Sequence, residues 1–119
     1  MRVSAFPIIT DHNRSNYSHE TAKAQDLTGS GIAIGSADSH STYAIELADI
    51  DGDGWLDVVA GNSGLNRLYL NTAGAFPASG TAIGSDSQTT FGISVTDANG
   101  DGWWDVVAGN LSSPNRVYV

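Results

Sequence analysis

The chain has 119 residues and a mass of 12.4 kDa, the size of one small domain. Thirteen acidic residues oppose five basic ones for a net charge of −8, which excludes nucleic acid and anionic membrane surfaces, since both are bound through Lys and Arg. The absence of cysteine excludes a disulfide scaffold, a zinc ribbon and thiol chemistry.

In chain order, the start from Met1 to Ile9 is mildly apolar but short, broken by Pro7 and without an Ala-x-Ala cleavage site, so it makes a poor signal peptide. No apolar run approaches the roughly 18 residues needed to span a bilayer. Met1 to Thr28 fits no strand pattern and is expected to form an arm that clasps a neighbour or caps an outer face. Within it, Ser18 to Leu27 is a candidate short helix with Ser18 as its cap. The expected divisions are residues 1–30 as the arm or a degenerate partial blade, 31–79 as a first repeat and 80–119 as a second.

The repeat is plain in the letters. Asp49 to Asn62 reads DIDGDGWLDVVAGN and Asp97 to Asn110 reads DANGDGWWDVVAGN, identical at 11 of 14 positions with an offset of 48. Ala33-Ile34-Gly35-Ser36 matches Ala82-Ile83-Gly84-Ser85, and Asn66-Arg67-Leu68-Tyr69-Leu70 matches Asn115-Arg116-Val117-Tyr118-Val119. Each unit reads as short strands: Tyr43 to Ala48 and Phe91 to Thr96 alternate, Leu56 to Ala60 and Trp104 to Ala108 carry Val-Val pairs, and Arg67 to Leu70 and Arg116 to Val119 follow. Gly31 to Ile34 and Gly80 to Ile83 read as fourth strands. Four strands per 48 residues, joined by Gly, Asn and Asp turns, is the pattern of a β-propeller blade in an all-β protein.

Between first and second strands lie the acidic loops. Asp49, Asp51, Asp53 and Asp57 place side-chain oxygens at loop positions 1, 3, 5 and 9, with the Trp55 backbone carbonyl at position 7. Asp97, Asn99, Asp101 and Asp105 repeat the set with the Trp103 carbonyl. A calcium ion takes six to eight oxygens at about 2.3–2.6 Å, and this spacing wraps them around one point. Asp-Gly hairpin turns explain the glycines but not acids in phase twice, so calcium is the expected cofactor, two ions per chain. Position 12 is Ala60 or Ala108, where an EF-hand has a bidentate Glu, and the loops lead into β-type runs rather than helices.

These motifs resemble the FG-GAP repeat family, also called VCBS-type or integrin-alpha-like propeller repeats. The resemblance rests on Phe91-Gly92, the two Asp-x-Asp/Asn-Gly-Asp-Gly-x-x-Asp loops and the Val-Val-Ala-Gly-Asn strand ends. It covers about Gly31 to Val119, with Tyr43-Ala44 where the family has Phe-Gly and Ala-Gly-Asn where its name spells Gly-Ala-Pro. It implies a calcium-stabilised propeller, extracellular or at the cell surface, used for adhesion, ligand or carbohydrate binding, or attached to a larger enzyme. By this analogy too, the metal ligands fall on Asp49, Asp51, Asp53, Asp57, Asp97, Asn99, Asp101 and Asp105.

No catalytic constellation stands out. His19-Glu20 has no second His four residues on, Ser39-His40-Ser41 cannot build a triad from adjacent residues, and Glu46 reads as solvent-facing or paired. The chain is expected not to be an enzyme. Trp55, Trp103 and Trp104 either stack on a sugar ring beside the metal or fill the seam between blades. Three functions follow: a binding or adhesion module, favouring glycans; a structural subunit of an extracellular ring or fibre; or a fragment of a larger secreted enzyme. The strand order also predicts self-association. It leaves the last blade without its outer strand, which a neighbour's Gly31 to Ile34 could supply head to tail. A trimer with six blades is favoured, and a filament is the open-ended alternative.

Overall fold

The Val-Val-Ala runs after each acidic loop set the buried strand segments at Val58 to Ala60 and at Ala108, whereas Ile45 and Leu47, expected on a half-buried strand, are 60% and 53% exposed. A computed structural model describes residues 27–119. Among them are five strands: β1 (Thr42–Ala48), β2 (Asp57–Tyr69), β3 (Thr81–Thr96), β4 (Asp105–Asn110) and β5 (Arg116–Tyr118). They pair in chain order, β1-β2-β3-β4-β5, antiparallel throughout, and no described residue is helical. All five lie in the compact unit Ala33–Val119. The helix at Ser18 to Leu27 and the arm over Met1 to Thr28 fall, but for Leu27 and Thr28, outside the described residues.

The all-β expectation holds, but the strand divisions change. Leu56 to Ala60 and Arg67 to Leu70 belong to one element, β2, and Gly80 to Ile83 and Phe91 to Thr96 to another, β3. Each long strand changes partner midway. Asp57 to Asn62 pair with β1, whereas Ser63 to Leu68 pair with β3. Likewise residues 81–83 and 88–89 of β3 pair with β2, and residues 90–96 pair with β4. Between its two stretches of pairing with β2, β3 carries an irregularity: Gly84 to Ser87 have no partner in that ladder, and Gly84 has a φ of +66°. Gly31 to Ile34, expected as a strand, is not one. No strand pairs with it; Gly35 N–H donates to Pro77 O at 3.1 Å and Ala37 N–H to Ala78 O at 2.8 Å instead.

The buried apolar set is small: Val58, Val59, Ala60, Tyr69 and Ala108, with Phe76 packed against part of it. Asp57, Asn62, Asn66, Thr90 and Asp105 are buried beside them, so much of the interior is polar and must be hydrogen-bonded. Asn62 N–H donates to Asn66 Oδ1 at 2.9 Å and Asn62 Nδ2 to Leu65 O at 2.9 Å, which fixes the bend within β2.

Asp38 and Asp86 accept bonds from tyrosines. Tyr69 Oη donates to Asp38 Oδ2 at 2.8 Å, and Tyr118 Oη donates to Asp86 Oδ2 at 3.2 Å. Gly80 N–H also donates to Asp38 Oδ2 at 2.8 Å. That amide, then the Tyr69 hydroxyl, holds the Asp38 carboxyl below its usual range. Burial, followed by the Asp38 carboxylate, pushes the Tyr69 phenol up to about 12. The folded state therefore holds this proton more tightly than the unfolded chain. Its contribution is complete below the unfolded phenol value near 10 and is lost as pH rises toward 12. In a phenolate absorbance titration, Tyr69→Phe should remove a step at about pH 12.

Candidate metal centre

Both acidic loops are drawn closed by their own backbone. In the first, Asp53 N–H donates to Asp49 Oδ1 at 3.1 Å and Gly54 N–H to Asp49 Oδ2 at 2.8 Å. In the second, Asp101 N–H donates to Asp97 Oδ1 at 3.0 Å and Gly102 N–H to Asp97 Oδ2 at 2.8 Å. The leading Asp thus organises the loop around itself. Gly54 and Gly102 have φ of +92° and +89°, a left-handed backbone in which a side chain would be strained. The Gly54 and Gly102 amides are the main reason that the Asp49 and Asp97 carboxyls titrate below their usual range.

The last Asp of each loop opens a strand and is buried. Asp57 Oδ2 accepts from Ile50 N–H at 2.7 Å, and Asp105 Oδ2 accepts from Ala98 N–H at 2.8 Å. Side-chain oxygens of Asp49, Asp51 and Asp57 all lie within 4.8 Å of one another, as do those of Asp97, Asp101 and Asp105. Burial, followed by the neighbouring Asp53 and Asp57, raises the Asp51 carboxyl. Such crowding of like charges favours a bound cation.

Some of the residues singled out by spacing stand apart from these clusters. Asp53 is not in the first; its Oδ1 accepts Trp55 N–H at 2.9 Å, as Asp101 Oδ1 accepts Trp103 N–H at 2.9 Å. Asn99 sits where Asp51 sits: each Oδ1 accepts the N–H two residues on, at 3.1 and 3.3 Å. Trp103 is 76% exposed and Trp55 45%, so neither is sealed inside the described chain. Trp104 joins the two loops, its Nε1 donating to Asp49 O at 2.9 Å. Trp104 is itself 50% exposed, so this bond ties the loops without burying the ring.

Spacing did not reveal Asn71, whose N–H donates to Asp57 Oδ1 at 2.8 Å and whose Nδ2 donates to Leu56 O at 2.9 Å. A signal was present, because Asn71 precedes the Ala73-Gly74 turn after the Tyr69-Leu70 strand end. In the second cluster the equivalent oxygen, Asp105 Oδ1, is buried without a hydrogen-bond partner.

The donor set is all oxygen and mostly carboxylate. The described basic side chains form no ion pair with either cluster; Arg116 pairs with Asp86 at 3.6 Å. This donor chemistry fits a hard cation such as calcium.

The chain is antiparallel and all-β among its described residues, with two acidic loops that each open a strand, which places it in the class of β-rich repeat proteins. The FG-GAP-like repeat model matches residues 49–108, and the chain belongs to that family. Neither the curated proteins nor the solved structures contain a match to it. No described helix is long and apolar enough to cross a membrane.

Proposed function

We propose that this chain is a calcium-binding, non-catalytic β-propeller module that serves extracellular binding or adhesion, with glycans as the favoured ligand. The observation that carries this reading is the convergence of three carboxylates in each of two loops of an FG-GAP-like repeat. In this reading Asp49, Asp51, Asp53 and Asp57 hold one ion with the Trp55 carbonyl. Asp97, Asn99, Asp101 and Asp105 hold the other with the Trp103 carbonyl. The bound ion supplies the positive charge that the crowded carboxylates lack.

Exposed Trp55 and Trp103 beside the loops favour a surface on which a sugar ring can stack. A glycan array probed with the labelled chain in calcium should give binding that chelator abolishes. Trp103→Ala should remove the signal while leaving the melting temperature unchanged. An array that stays blank with calcium present would refute the glycan assignment and favour a purely structural ring or fibre subunit.

A further inference from the structure

The hairpins β1/β2 and β3/β4 share one register. Thr42 faces Asn62, Ala44 faces Gly61 and Ile45 faces Ala60; 48 residues later Thr90 faces Asn110, Gly92 faces Gly109 and Ile93 faces Ala108, with the same irregularity after the threonine. Equivalent residues therefore have equivalent hairpin surroundings. What differs is what lies against them.

In the first hairpin, Gly61 is covered by the second. A Cβ built at Gly61 would lie 2.8 Å from Ile93 Cγ1 and 2.9 Å from Thr90 Cγ2, so only glycine lets these side chains seat there. Beside this contact, Asn66 Nδ2 donates to Thr90 Oγ1 at 3.0 Å, and Thr90 Oγ1 donates to Asn110 Oδ1 at 2.7 Å. Asn66 and Thr90 are 3% and 1% exposed.

The same parts recur without a cover. A Cβ at Gly109 would meet only the Gly92 backbone, at 3.9 Å or more. Asn110 N–H donates to Asn115 Oδ1 at 2.9 Å, as Asn62 N–H does to Asn66, yet Asn115 is exposed where Asn66 is buried. At the other end, Thr42 Oγ1 donates to Asn62 Oδ1 at 2.7 Å, as Thr90 does to Asn110. Thr42 is exposed, and Ile45, the counterpart of Ile93, is 60% exposed. Among the described residues, one chain thus carries an occupied seat, an uncovered seat at Gly109 and Asn115, and an exposed copy of the group that fills it at Thr42 and Ile45.

We propose that a second copy of this chain docks head to tail, its Thr42 and Ile45 seating on Gly109 and Asn115 as Thr90 and Ile93 seat on Gly61 and Asn66. The second copy is the occupant because each chain presents both halves of a contact whose fit is already realised within it. These residues are all uncharged, so the net charge of −8 is not concentrated at the contact. The contact is heterologous, so it builds rings or filaments rather than isolated symmetric pairs. It does not rest on the metal assignment.

Native mass spectrometry and sedimentation of the full chain test it with two variants. Gly109→Val fills the empty seat at a position with room for a side chain, and Ile45→Arg spoils the exposed group. The wild-type chain is expected to assemble with concentration, and each variant alone to remain monomeric with a wild-type circular dichroism spectrum. Mixing the two variants should give a one-to-one heterodimer that grows no further, because the Gly109→Val copy keeps its Thr42–Ile45 group and the Ile45→Arg copy keeps its seat. A monomeric wild-type chain would overturn the proposal and leave the seat to a further FG-GAP-like repeat on a longer polypeptide. Assembly that survives either variant, or a mixture that stays monomeric, would overturn it as well. The readout is mass, so its failure leaves the calcium measurement unaffected.

Discussion

Chelation should lower the melting temperature of this chain by about 10 °C or more for each calcium site emptied. Binding to the folded state alone contributes about 2.7 kcal/mol per site at a hundredfold excess over Kd, and about 1 kcal/mol moves a domain of this size by roughly 4–8 °C. The two sites should not empty together. The first loop offers Asp51 where the second offers the neutral amide of Asn99, and ligand charge tunes affinity, so the second empties first as free calcium falls. Asp51→Asn should equalise them. In chelator the same substitution should raise stability slightly, because it removes a carboxylate crowded by Asp53 and Asp57. Calorimetric scans across a calcium titration provide the check, and identical scans with calcium and with chelator would refute the metal assignment.

Thr90→Val should cost about 2–4 kcal/mol. The replacement keeps the volume of a residue that is 1% exposed, but removes the hydroxyl that accepts from Asn66 Nδ2 and donates to Asn110 Oδ1. Stranding a buried polar group costs about 1–3 kcal/mol, and here two partners lose their bond. Thr42→Val breaks a single bond, to Oδ1 of the buried Asn62, and should cost about 1 kcal/mol less than Thr90→Val because one buried partner is stranded rather than two. Urea titrations of dilute, monomeric protein measure both, with free energies taken from the linear dependence on denaturant. Equal costs at the two positions would show that the Asn66–Thr90 bond does not tie the second hairpin to the first.

The local features were legible in the sequence because their chemistry lies within a few residues. The acidic loops place their oxygens within nine residues, and the closing bonds from Gly54 to Asp49 and from Gly102 to Asp97 span five positions. The Val-Val-Ala runs supplied the buried segments at Val58, Val59 and Ala108. What could not be read depends on distant partners. Tyr69 meets Asp38 across 31 positions, and Asn66 meets Thr90 across 24. The fusion of separate short strands into β2 and β3 arises the same way, since each long strand extends by finding a second partner for its far half. By position Trp55 and Trp103 are equivalent, and Trp104 stands where the first loop has Leu56. Only the fold shows that the Trp104 indole reaches the Asp49 carbonyl.

The change of partner midway through β3 has a consequence for how such a chain can be inherited and cut. Counted from Thr42 rather than from residue 31, the sequence period begins again at Thr90, yet the strand runs from Thr81 to Thr96, so a segment counted that way ends inside a strand. A protease or a gene boundary placed at the period would sever a strand whose first half is bonded to the older segment and whose second half is bonded to the newer one. A newly duplicated segment therefore enters with its first strand already continuous with the last strand of its predecessor. Neither can melt alone without breaking the other's ladder, and duplication lengthens a single cooperative body rather than adding a separable bead.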